Sequence, residues 1–239
     1  NPSKETSCRF KSGPGHQPIK SMNFNQNLLE EILCKYKDSG YKFISFHDDV
    51  EKKRNVILRH DIDFDIQKAL LIAELEEKLD IRSTFFFLLR SDSYNFFEKK
   101  NIDKVMKISS FGHEISIHLD PTLYTDVEEG LRSEINLFHS ATGLRPKIIS
   151  FHRPSEKYLK SNHNIIDIPH TYLDKFFKDI NYIADSGGGF FYDNPIESEN
   201  FKKQLSLQLL IHPIWWTTEG KTNIEKIKNY LKTREEKFS

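Results

Sequence analysis

Asp61 and Asp63 are two residues apart, and no other pair in this chain is better placed to do chemistry. In extended backbone, side chains two apart share a face. Two carboxylates held that close repel unless a cation lies between them, and one of the two can then remain free as a base. The plain alternative is an acidic turn capping a helix that begins near Phe64. What favours chemistry is a wider pattern. Asp63, Arg90, His118, His152, Asp185 and His212 are separated by 27, 28, 34, 33 and 27 residues, close to the ~30 residues of a strand–helix–strand repeat. Each follows a short apolar run, so each is expected at the C-terminal end of a strand, where α/β sheets and barrels gather ligand and catalytic groups.

Within this set, His118 is a better ligand than His113. An odd separation in a strand puts the two on opposite faces, and His113 sits at the strand start beside Gly112. Neutral imidazole at His152 is a candidate ligand, and the Arg153 guanidinium suits a carboxylate such as Asp61 or a developing oxyanion. His212 titrates in a range useful to a general acid. Arg90, Asp185 and Trp216 are the expected substrate contacts, since an indole can stack on a sugar ring. The segment 47-HDD-49 imitates a metal motif but runs into charged residues and reads as a solvated loop. Glycines 187–189 lack phosphate-loop spacing.

The elements that must position these groups are legible as two textures. Apolar residues recur at helical spacing in Leu28–Tyr36, Ile66–Ala73, Ile102–Met106, Leu131–Phe138 and Ile224–Leu231. Between them lie β-like runs at 56–59, 84–89, 114–117, 148–150, 181–184 and 207–211. Their alternation predicts βα units around a mostly parallel sheet, and 239 residues suit a single barrel.

Composition narrows the function. Lys+Arg and Asp+Glu are both 35, which argues against the basic footprint of a nucleic-acid binder. No run approaches the ~18 apolar residues of a membrane span. Cys8 and Cys34 cannot build a disulfide framework, so a reducing compartment is expected. Residues 1–21 lack a signal-peptide core and read as a flexible tail or an artificial remnant. A cytoplasmic location follows as an expectation, with a single barrel domain over 22–239. Oligomeric state is not legible.

In their order, 59-RHDID-63, 112-GHEISIH-118, 150-SFHRP-154, 184-ADSGG-188 and 210-LIHPIWW-216 resemble the polysaccharide deacetylase superfamily, in particular a branch of surface-glycan biosynthesis. The resemblance spans Val56 to Trp216. It implies an α/β fold, a distorted (β/α) barrel of the polysaccharide-deacetylase type, and a divalent metal, zinc first. It also implies removal of an acyl group, usually acetyl, from an N-acylated sugar, glycan or nucleotide-linked sugar. Carried over, Asp61 is the base, Asp63 and His118 are metal ligands, Arg153 orients the base, and His212 is the general acid. One position departs: Thr122 stands where the pattern has a second ligand histidine. His152 is the candidate replacement, with Asp120 and His60 behind it. That departure leaves two alternatives, other metal-dependent acyl or amide chemistry on a glycan precursor, and a non-catalytic glycan-binding module.

Overall fold

The structure is a computed structural model that describes residues 23–191 and 193–236; the expected tail, with Cys8, lies outside them. Among the described residues the elements run α1 (Gln26–Asp38), β1 (Lys42–Ile44), β2 (Asn55–Ile62), α2 (Ile66–Lys78), β3 (Thr84–Phe87), α3 (Lys99–Ser110), β4 (Glu114–Leu119), α4 (Val127–Thr142) and β5 (Ile149–Phe151). They continue as α5 (Glu156–Leu159), α6 (Asp174–Phe177), β6 (Asn181–Ala184), α7 (Glu199–Lys202), β7 (Leu207–Ile211), α8 (Pro213–Thr217) and α9 (Asn223–Glu235). All the strand pairings are parallel, in the order β5-β4-β3-β2-β7-β6, with β1 beside the start of β2. Every apolar run read from the sequence is a strand. β1 was not expected, because three residues are too short to show a period. Between β5 and β6 the repeat gives only the single turns α5 and α6 in place of a full helix.

The sheet curls into an incomplete barrel, and alternation along each strand divides its two faces. On β2, Val56, Leu58 and Ile62 join the large core beneath the helices, whereas Ile57 joins a smaller cluster with Phe46, Phe86, Ile148, Leu173 and Phe176. Arg59 and Asp61 share the face of Ile57, two and four residues on. The whole of β2 is buried, as expected for a parallel strand covered on both sides. Helix α2 starts immediately after it, capped by Asp65, whose Oδ1 accepts from Gln67 N at 2.8 Å. The capping role therefore falls to Asp65, and Asp61 and Asp63 are free for other work.

No described strand pairs β5 with β6. Residues 169–177 fill that opening. Ile149 N donates to Pro169 O and Thr171 N to Ile149 O, both at 3.0 Å, which sets His170 beside β5. Gln208 then reaches from β7: Nε2 donates to Thr171 O at 3.0 Å and to Phe176 O at 2.8 Å, and Oε1 accepts from Arg59 Nη1 at 3.1 Å. One buried amide thus ties the filling segment to the sheet and to the arginine beside the site. Gln208→Leu keeps the volume but orphans two carbonyls and one guanidinium N–H. It should cost about 2–5 kcal/mol in denaturant unfolding; a stability within 0.5 kcal/mol of wild type would refute this role for the amide.

Candidate metal centre and catalytic cleft

The inward faces of β2, β4, β5 and β7 deliver their last residues to one cleft of about 290 Å³ lined by Asp61, Asp63, His118, His152, Arg153 and His212, among others. Three of these converge. His118 Nε2 lies 3.3 Å from Asp63 Oδ1, His152 Nδ1 lies 3.4 Å from the same oxygen, and the two ring nitrogens are 3.3 Å apart. Asp63 Oδ1 is buried and has no hydrogen-bond partner among the described residues. Two imidazole nitrogens and a carboxylate oxygen so arranged form a set of lone pairs aimed at a common point. Bonds of about 2.0–2.2 Å at tetrahedral angles would put donor atoms about 3.3–3.6 Å apart. The triad Asp63, His118 and His152 therefore fits a divalent cation in both donor chemistry and spacing.

What holds the triad is as informative as the triad itself. His118 Nδ1 is 2.5 Å from Ser150 Oγ, and that hydroxyl reaches Asp61 Oδ1 at 3.4 Å. With Ser150 donating to the carboxylate, it accepts from Nδ1–H, and the Nε2 lone pair is left facing the triad. A ligating histidine whose second nitrogen is held in this way keeps the required tautomer and orientation.

Asp61 is held from the barrel interior. Arg59 donates to it through Nε (2.9 Å to Oδ1) and Nη2 (2.7 Å to Oδ2). Both groups are buried, at 0% and 3% exposure, so nothing screens the pair. Burial disfavours the Asp61 anion, but Arg59 outweighs it and holds the carboxyl below its ordinary value. For Asp63 burial again opposes charge, and the imidazoles of His118 and His152 bring the carboxyl well below that value.

His212 forms the other side of the site. Its Nδ1 lies 2.6 Å from Asp185 Oδ1, its Nε2 is 3.9 Å from Asp63 Oδ2, and Asp185 also accepts from the Trp216 indole at 2.6 Å. Asp185 and Trp216 are buried at 0% and 1% exposure. Burial lowers the His212 pKa, but Asp185 first, then Asp63 and Asp61, outweigh it and push it up to about 9.

The structure relocates several residues. Arg153, expected to orient Asp61, is exposed on the cleft rim at φ 50° and makes no ion pair with it. Arg59 takes that place, because two residues along one strand face is within guanidinium reach whereas Arg153 has turned out of the strand. Asp185 and Trp216, expected to touch substrate, lie beneath His212. Arg90 opens on a different cavity. His60 faces the helices, 2.6 Å from Glu76 Oε1 but off the hydrogen-bonding direction. Asp120 binds Thr122 N and Oγ1 at 2.9 and 2.6 Å. His47 pairs with Glu114, at the opposite end of the strands. Arg59 and Ser150 were missed, yet the same-face rule that singled out Asp61 and Asp63 also reaches Arg59.

The chain matches no protein-family model and no curated protein. Solved structures similar to it include the Streptococcus pyogenes deacetylase PplD in complex with acetate, at 14% identity over 87% of this chain and 87% of that chain, with a TM-score of 0.46. A family 4 carbohydrate esterase from Bacillus anthracis is similar at 16% identity, over 85% of each chain, with a TM-score of 0.46. A family 4 pseudoenzyme from Bacillus anthracis is similar at 15% identity over 84% of this chain and 66% of that chain, again at 0.46. At these identities and scores, the chemistry of the cleft has to be read from its own residues.

Two outcomes test the geometry. Zinc titrated into metal-stripped protein should bind at one site. His152→Ala should weaken that site as much as His118→Ala, and Ser150→Ala should weaken it about 10- to 100-fold; a His152→Ala variant that binds zinc like wild type would remove His152 from the set. In the metal-free protein, imidazole NMR should titrate His212 near pH 9, and Asp185→Asn should bring it down to or below the ordinary 6.5, since burial is then less opposed. An unmoved pKa would mean that Asp185 does not hold the proton.

Proposed function

We propose that this chain is a metal-dependent carbohydrate deacetylase. It hydrolyses the amide of an N-acylated sugar, acetyl being the expected acyl group. The substrate belongs to a surface polysaccharide, such as a lipopolysaccharide, or is a nucleotide-linked precursor of one in the cytoplasm. The observation that carries this reading is the convergence of Asp63 Oδ1, His118 Nε2 and His152 Nδ1 within 3.3–3.4 Å of one another, between an arginine-held carboxylate and a carboxylate-held imidazole.

A divalent cation such as zinc would supply Lewis-acid polarisation of the acyl group and a more acidic water. The protein's own residues account for the proton transfers. Asp61 is anionic at neutral pH and lines the cleft, so it can take a proton from the attacking water while Arg59 fixes its orientation. Arg59 occupies one position on each oxygen and Ser150 a second on Oδ1, which leaves Oδ2 as the oxygen with an open position. In the metal-free cleft His212 is protonated below about pH 9, and Asp185, which lies away from the metal triad, is the first cause that holds this proton. Its Nδ1–H is committed to Asp185, which leaves Nε2–H, on the cleft side, for the departing amine. Arg153 on the rim offers a guanidinium to the substrate, and Phe64 and Trp215 supply apolar walls.

The Asp61→Asn variant should retain zinc while free amine released from a panel of N-acetylated sugars falls about 100- to 10,000-fold. It also leaves Arg59 buried without its anion, at a cost of about 3–5 kcal/mol. Thermal melting and a paired Arg59→Gln/Asp61→Asn variant therefore accompany it. A folded, zinc-loaded variant that releases amine at the wild-type rate would exclude Asp61 as the base. A wild-type protein that binds zinc but releases no amine from any of the sugars would exclude deacetylation.

A further inference from the structure

A second cavity, of about 370 Å³, lies between the loop after β3 and helix α9. Arg90 and Arg234 both line it, and neither has a carboxylate within ion-pair distance among the described residues. Unpaired guanidiniums are common singly on a surface. Two that open on one cavity from separate elements, each already fixed in place, are a different matter. Arg90 lies over the face of Tyr124, 5.2 Å from the ring centroid, a contact that restrains the guanidinium without using its N–H edges. Arg234 donates Nη1 to Ser93 O and, at 3.1 Å, to the Tyr230 hydroxyl; its Nε and Nη2 have no partner among the described residues.

The same walls are anchored to the catalytic strand. Ser91 Oγ reaches Asp63 O at 3.4 Å, Tyr94 OH donates to Ile62 O at 2.7 Å, and Tyr230 OH donates to Phe64 O at 2.7 Å. The cavity is thus built on the backbone of residues 62–64, behind the metal ligand Asp63. Two carboxyls oppose an anion: Asp92, exposed and with no ion pair among the described residues, lines the same space, and the buried Glu134 beside Tyr124, whose charged form Arg90 favours, competes for that guanidinium.

We propose that this cavity binds a phosphate-type oxyanion, held by Arg90 and Arg234. A guanidinium presents a planar fork that matches phosphate oxygens two at a time. Forks from two elements suit a tetrahedral dianion, with oxygens on several sides, better than a flat carboxylate. The proposal holds whether or not the cleft is a deacetylase. The anion is either free in solution or carried on a sugar substrate, and the two sources are separable.

The test is calorimetric titration of the whole protein with inorganic phosphate and pyrophosphate. Wild type should bind, and Arg90→Ala and Arg234→Gln should each weaken binding about tenfold or more. Asp92→Asn should tighten it, an effect opposite to that of a general loss of structure. Circular dichroism melts check folding, and Arg90→Lys, which keeps charge but loses the fork, should fall between wild type and Arg90→Ala. A hexosamine 1-phosphate that binds about tenfold tighter than inorganic phosphate marks an anion carried on a sugar; equal affinities mark a free one. Wild type that does not bind either anion at millimolar concentration, or folded arginine variants that bind as wild type does, would overturn the proposal.

Discussion

Inside the barrel, away from water, a guanidinium and a carboxylate two residues apart on β2 have to satisfy one another. Removing both charges from solvent costs several kcal/mol per ion, and attraction offsets this only if the remaining donors are also used. Arg59 meets that condition. Nε and Nη2 go to Asp61, Nη1 goes to Gln208, Nη2 also reaches the Tyr172 hydroxyl at 3.3 Å, and the ring faces of Tyr172 and Phe86 lie 5.0 and 5.6 Å from Cζ. Each partner belongs to a different part of the fold: β7, the segment that fills the open side of the barrel, and β3. Satisfying one buried cation therefore fixes how three pieces of chain meet, and it fixes the carboxylate that faces the cleft.

The rest of the site follows the same rule, in which a working group is held by a buried one that solvent cannot reach. Ser150 connects His118 to Asp61, so an imidazole of the candidate metal triad and the neighbouring carboxylate are oriented by a shared hydroxyl. Asp185 and the Trp216 indole stand behind His212 in the same manner. Trp216 is in turn packed against Phe24, at 4.4 Å between ring centroids, and Phe190. This places an aromatic cluster, set behind Asp185 and away from the cleft, in control of where the imidazole points. The side chains that face the cleft can then be few, because their geometry is set by neighbours that never touch the ligand.

The strands, the inward face and the polar group at each strand end were legible because a period of two and a repeat of about thirty residues are local properties of the chain. The position of His152 beside His118 was legible for the same reason, since it sits one strand along from His118 in the same phase. The partner of Asp61 was not. Arg153 and Arg59 are equally plausible by type, and only the turn at Arg153, where φ is 50°, decides between them. Asp185, Trp216 and Arg90 were recognised as strand-end or neighbouring residues, but whether such a residue points at substrate or sits behind it depends on packing depth, which has no period. The short β1 and the single turns α5 and α6 between β5 and β6 were illegible for a further reason. Three-residue strands and single-turn helices carry too few positions to display a pattern.

Curvature explains how a candidate metal triad can form without the position occupied by Thr122. In a flat sheet, β2 and β4 would lie about 9–10 Å apart and β2 and β5 about 14 Å, at about 4.8 Å per strand. Asp63 nevertheless meets both His118 and His152 at 3.3–3.4 Å, which requires the sheet to curl around its interior until the ends of three strands face one another. Once it has curled, β5 is close enough to supply the third donor, and the turn after β4 is not needed for it. There Asp120 accepts from Thr122 N and Oγ1, which closes the turn on itself. The interior apolar cluster and the buried Arg59 network pack inside that curve, so the approach of His152 to Asp63 and His118 depends on the barrel's interior packing as much as on the residue at position 152.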